Sequence, residues 1–139
     1  MAETLGSLID KLIIVNLKQI HTNDQKRFTN LRSQKDSLVR EIDQFISCPP
    51  RCLVVPANKV YEGNVPKMLE AQTLGGMVTL LTEVNCYLWH KQEQVYDFVN
   101  VPADEKDGVI QSIATLNLQR NQCIEKIDRE FERMLCTQK

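Results

Sequence analysis

The chain has 139 residues, 42% hydrophobic and 25% charged, the balance of one ordinary globular domain with a single core. A net charge of −1 argues against a protein that lives on nucleic-acid phosphates. No apolar run approaches the roughly 20 residues of a membrane span, and no basic region precedes the first apolar stretch. We therefore expect a cytoplasmic protein without a secretory signal or a membrane partner.

The first predicted helix covers residues 4–21, with Thr4 or Ser7 as its cap. Leu5, Ile9, Leu12, Ile13 and Ile20 share one face at about 100° per residue, and Asn16 falls at its centre. An asparagine there is either a register-fixing core residue or a ligand contact. Lys11 and Lys18 point away and are expected to be solvated. Thr22-Asn23-Asp24 breaks the chain and offers a new N-cap for a second helix over residues 24–47. Its apolar face is Phe28, Leu31, Leu38, Val39, Ile42 and Ile46, and Lys35 intrudes as a snorkelling side chain.

Residues 48–66 change character. Pro49, Pro50, Pro56 and Pro66, with Gly63, exclude a long helix and predict a crossover, with Asn58, Lys59, Tyr61 and Asn64 as its contact residues. Helical patterning returns over residues 67–100, where Gly75-Gly76 is expected to kink the helix or divide it. Leu81, Val84, Leu88, Val95 and Val99 form its stripe. Trp89 and Tyr96 lie a further turn of the face away, which suggests a second buried surface. A turn at 100–103, with Asp104 as N-cap, precedes a last helix ending near residue 136.

Short connections pair helices one with two and three with four. The expected fold is all-α: a four-helix antiparallel bundle of two helical hairpins joined by the long Pro-rich crossover.

Val109, Ile113, Leu116, Ile127, Phe131 and Met134 line the last helix, and Arg120 lands among them with Asn117 and Asn121 beside it. A guanidinium on such a stripe keeps its charge and must be paired, hydrogen-bonded or solvated. At about 1.5 Å per residue from the turn near Val101, Asn85 stands at the height of Arg120. These residues predict one polar network, which Asn16 joins if helices one and four are neighbours. Asp10 and Asp128 lie at stripe flanks, where either can pair with Arg120 in a self-satisfied network.

Catalytic and metal signatures are thin. Of the five cysteines only Cys48 and Cys52 are close, and His21 and His90 lack ligand-spaced partners, so no zinc site or other metal is expected. No carboxylate occupies a stripe centre, as helical magnesium-dependent hydrolases require. No cofactor is expected.

Gly6-Ser7-Leu8-Ile9-Asp10-Lys11 resembles the opening Gly-Glu-Leu-Ile-Asp-Lys-like helix of a family of uncharacterised small helical proteins. Asn85 to Glu93, with Leu88-Trp89 and Gln92-Glu93, and Leu116-Asn117 through Arg120-Asn121 to Ile127-Asp128, resemble its later helices. The resemblance touches three of the four helices. Ser7 stands where the family has an acidic residue, and the crossover has no counterpart. Members are often associated with cell-surface sugar assembly. The resemblance implies an all-helical fold and singles out Asp10, Asn16, Asn85, Trp89, Glu93, Asn117, Arg120, Asn121 and Asp128.

Three functions follow as expectations. The first is a non-catalytic protein binding a small anionic, nucleotide- or nucleotide-sugar-like ligand through Asn16, Asn85, Asn117, Arg120 and Asn121, with Asp10, Asp128 and Trp89 around them. The second is an interaction module that forms a homo-oligomer, at least a dimer, or partners a glycosyltransferase. The third is a magnesium-dependent nucleotide hydrolase or transferase using Asp10, Glu93 and Asp128.

Overall fold

The computed structural model describes residues 3–49 and 73–137. The crossover contacts expected at Asn58, Lys59, Tyr61 and Asn64, and Cys52, lie outside these residues. Among those described the fold is all-α, with helices α1 (Leu5–His21), α2 (Gln25–Ser47), α3 (Leu74–Tyr96) and α4 (Lys106–Thr137). A 3-10 turn, Phe98–Asn100, lies between α3 and α4. The chain divides into two compact units. One is Met1–Ala57 with Ile124–Lys139, and the other is Asn58–Cys123, so α4 contributes to both.

In the first unit, Thr4 caps α1. Its hydroxyl accepts from the Ser7 amide at 3.1 Å, and the Ser7 hydroxyl accepts from the Thr4 amide at 3.0 Å, a reciprocal capping box. Ser7 also donates to the Glu3 carboxylate at 2.6 Å, and Lys11 pairs with that same carboxylate. Lys18 and His21 in the last turn suit the negative end of the helix. The three residues 22–24 bring the chain back, and α2 packs on α1. Asp24 caps α2, accepting from the Lys26 amide at 2.9 Å. The helix ends at Ser47, where the Cys48 amide still reaches the Gln44 carbonyl and Pro49 follows.

The buried face of α1 differs from the expected one. Leu5 and Ile13 are buried as expected, but so are Leu8, Val15 and Leu17, while Ile9, Leu12 and Asn16 are half-buried and Ile20 is 75% exposed. The cause is that α1 is apolar around most of its circumference, so no single stripe identifies the side that packs. The α2 face is rotated as well. Leu31 is buried and Phe45 reaches Phe131 of α4, ring centroids 5.8 Å apart, whereas Phe28, Val39 and Ile46 stay exposed. Leu31, Leu38 and Ile42 of the expected stripe do face inward, and Phe45 joins them in place of Phe28, Val39 and Ile46.

In the second unit, Thr73 caps α3 by accepting from the Gly76 amide at 3.1 Å. Gly75 and Gly76 therefore sit in the first turn of α3, where their low helix propensity matters least, and mark a beginning of the helix. Met77, Leu81, Val84 and Leu88 are buried, but the stripe fails beyond them. Val95 is 41% exposed, Tyr96 90% and Val99 92%, because α3 ends at Tyr96 and the 3-10 turn redirects the chain. The second buried surface expected at Trp89 and Tyr96 is thus half-buried at Trp89 and open at Tyr96. Asp104 lies in the turn before α4, whose first helical bond runs from the Val109 amide to the Glu105 carbonyl. On α4, Val109, Cys123, Ile127 and Phe131 are buried, and Ile113 and Leu116 are half-buried. Met134 is 37% exposed. No helix among the described residues is long and apolar enough to cross a membrane.

Candidate ligand-binding site

The expected site residues are divided between the two units. Asn85, Trp89, Asn117, Arg120 and Asn121 belong to the second, and Asp10, Asn16 and Asp128 to the first.

On α4, Asn117, Arg120 and Asn121 follow at i, i+3 and i+4, which places them on one helical face. Asn117 and Arg120 are half-buried and Asn121 is exposed, so the group stands at the boundary between protein and water. On α3, Asn85 is 4% exposed, and its side-chain amide donates to the Leu81 carbonyl at 3.2 Å. That bond to the preceding turn satisfies one donor within the helix. Trp89 is held by its indole N–H, which donates to Glu93 at 2.7 Å, and Glu93 also faces His90 at 3.8 Å. Glu93 thus accepts from Trp89 one turn back along the exposed face of α3.

Two carboxylates of the first unit are buried, Asp10 at 4% exposure and Asp128 at 2%. Asp128 performs a structural task that its sequence context does not announce. Its Oδ1 accepts the Gly6 amide at 2.6 Å, at the first turn of α1. That amide has no acceptor within its own helix, and a carboxylate there also meets the positive end of the helix dipole. Burial nevertheless pushes the Asp128 carboxyl above its ordinary value. The Gly6 amide and the Thr4 hydroxyl pull it down by less, and neighbouring Glu125 adds a small upward push. Its other oxygen, Oδ2, is buried without a hydrogen-bond partner among the described residues. Gly6 is what permits the approach. A Cβ at that position would stand 2.6 Å from the Ile124 carbonyl oxygen and 2.9 Å from Asp128 Oδ1. Sequence reading missed this contact, although a glycine inside a strongly helical pattern is itself a sign of close packing.

Two surface depressions are lined by described residues. In the first unit, Lys11 and Lys18 of α1 face Gln34 and Glu41 of α2 along an open groove of about 420 Å³. Lys11 is paired with Glu3 and Glu41 stands on the far wall, so the groove offers little net positive charge. In the second unit, His90, Glu93, Asp97 and Glu105 line a shallow pocket of about 320 Å³ whose carboxylates repel anions. No group of three or more His, Cys, Asp or Glu side chains among the described residues is arranged to hold a metal ion. Cys48, Cys86 and Cys136 carry free thiols.

No protein-family model, no curated protein and no solved structure matches this chain.

Proposed function

We propose that the chain is a non-catalytic helical binding protein whose α4 face, Asn117, Arg120 and Asn121, takes a small anionic ligand of the nucleotide or nucleotide-sugar class. One observation carries the reading: a guanidinium and an asparagine, both half-buried, stand beside an exposed asparagine on one face of α4. A guanidinium at that depth attracts phosphate or carboxylate more strongly than one in bulk water, and its fork donates to such groups bidentately. Asn117, one turn before Arg120, and Asn121, the residue next to it, supply the neutral donors and acceptors that read a base or a sugar hydroxyl. Asn85 and Trp89 belong to the same unit as this face and extend the candidate set. The resemblance of Leu116 to Asp128 to helical proteins found beside sugar-assembly systems points to the same ligand class. Of the carboxylates expected to hold magnesium, Asp128 caps α1 and Glu93 accepts from Trp89, which favours binding over hydrolysis.

The test is thermal unfolding against a panel of nucleotides, cyclic nucleotides and nucleotide sugars, with and without magnesium. A ligand at about one hundred times its Kd adds roughly 2.7 kcal/mol to the folded state, well within reach of a melting scan. A flat panel rejects the reading.

A second reading, a self-associating interaction module, is favoured by apolar residues left open on α3, on the turn after it and at the start of α4. Tyr87 is 63% exposed, Tyr96 90%, Val99 92% and Ile110 54%. Large apolar side chains left exposed on a single chain are candidates for association.

A further inference from the structure

We propose that the Gly6–Asp128 contact is a proton-operated latch, in which protonation of Asp128 tightens the hold of α4 on the first turn of α1 and ionisation loosens it. The geometry carries the argument. Asp128 is buried, Oδ1 is occupied by the Gly6 amide, and Oδ2 has no partner among the described residues. An ionised carboxylate with one buried oxygen unsatisfied is expensive to keep, whereas its neutral form can still accept the Gly6 amide and loses most of that penalty.

The surrounding groups leave the charge uncompensated. From the α1 side Asp128 meets Gly6 and Thr4, neither of which titrates in the carboxylate range. On α4 it feels Glu125, a like charge whose own partner is Arg129 at 2.7 Å. At the same end of α1, Glu3 is held ionised by Lys11 and Ser7, so it does not titrate together with Asp128. Burial raises the Asp128 carboxyl in spite of the helix dipole and the Gly6 amide, which both favour the anion. The close approach at Gly6, where an added Cβ would stand 2.6 Å from the Ile124 carbonyl oxygen, makes the seating of the first turn of α1 on α4 sensitive to this one contact.

The experiment is amide hydrogen exchange at residues 5–8 from pH 7.5 to 4.5, corrected for the intrinsic pH dependence of exchange, on the full chain and on Asp128→Asn. The latch predicts protection that rises several-fold in the wild type as pH falls. In Asp128→Asn it predicts a flat profile whose protection at pH 7.5 exceeds that of the wild type. A wild-type profile that is flat or falls with acid overturns the latch, as does an Asn variant that keeps the pH dependence. Should the variant not fold, direct NMR titration of the Asp128 carboxyl in the wild type decides. A midpoint above the ordinary aspartate value supports the latch, and one at or below it overturns the proposal.

Discussion

The amide of Gly6 donates to Oδ1 of Asp128 across 2.6 Å and 122 residues of sequence, joining the start of α1 to α4. Two glycine substitutions separate the packing at this contact from helix propensity. Gly108 lies in the first turn of α4 with nothing within 4 Å of an added Cβ, so Gly108→Ala should stabilise slightly, by less than about 0.5 kcal/mol, through propensity alone. At Gly6 the same methyl meets the backbone oxygen of Ile124 at 2.6 Å, and overpacking of about 1–3 kcal/mol should outweigh that gain. Urea unfolding midpoints should move in opposite directions for the two variants.

Removing the carboxylate should be more damaging than neutralising it. Asp128→Ala leaves the Gly6 amide buried without an acceptor, a loss of about 1–3 kcal/mol, while Asp128→Asn retains one. The pH dependence has a definite sign. Since burial raises Asp128 in the folded chain, its contribution to stability is fully present below the unfolded value, 3.8, and is lost as pH rises through the folded value. Glu3, lowered by Lys11 and Ser7, acts in the opposite direction. Its contribution is present above the unfolded value and lost as pH falls through the folded one, and its exposure makes it the smaller of the two. Difference curves of unfolding free energy against pH, wild type minus each variant, should show these two signs.

Ser7 occupies the third position of α1, where a capping box ordinarily carries glutamate or glutamine. Ser7→Glu should keep the bond to the Thr4 amide, place negative charge in the first turn and reach Lys11 one turn on, adding about 0.5 kcal/mol. A drop in melting temperature would show that repulsion from Glu3 prevails.

Self-association, if the open residues at the end of α3 drive it, should vanish in Tyr96→Ser with Val99→Ser. Both side chains are about nine-tenths exposed, so monomer stability should change by less than about 0.5 kcal/mol. Sedimentation velocity over a concentration series reads this directly. An oligomer that survives the double substitution places its interface elsewhere.

The all-α class and the caps of α1 and α2 were legible because they depend on local chemistry: Thr4 and Asp24 beside periodic apolar runs. The inward side of α1 was not, since residues such as Leu8, Val15 and Leu17 are as apolar as those of the expected stripe. The upper part of the α3 stripe continued in sequence through Val95 and Val99, but periodicity carries no information about where the helix stops covering a core. Of the candidate site, the shared face of Asn117, Arg120 and Asn121 follows from spacing alone. The role of Asp128 does not, because it depends on a close approach between segments at opposite ends of the chain.

The central claim, an anion site built on Arg120, is tested most directly by isothermal titration of wild type and Arg120→Ala with whichever nucleotide-class ligand shifts the wild-type melting curve. Circular dichroism should first establish that the variant remains folded. Affinity should fall at least tenfold in the variant, the roughly 1.4 kcal/mol expected for one charge-assisted contact. Unchanged affinity in a folded Arg120→Ala protein would contradict it.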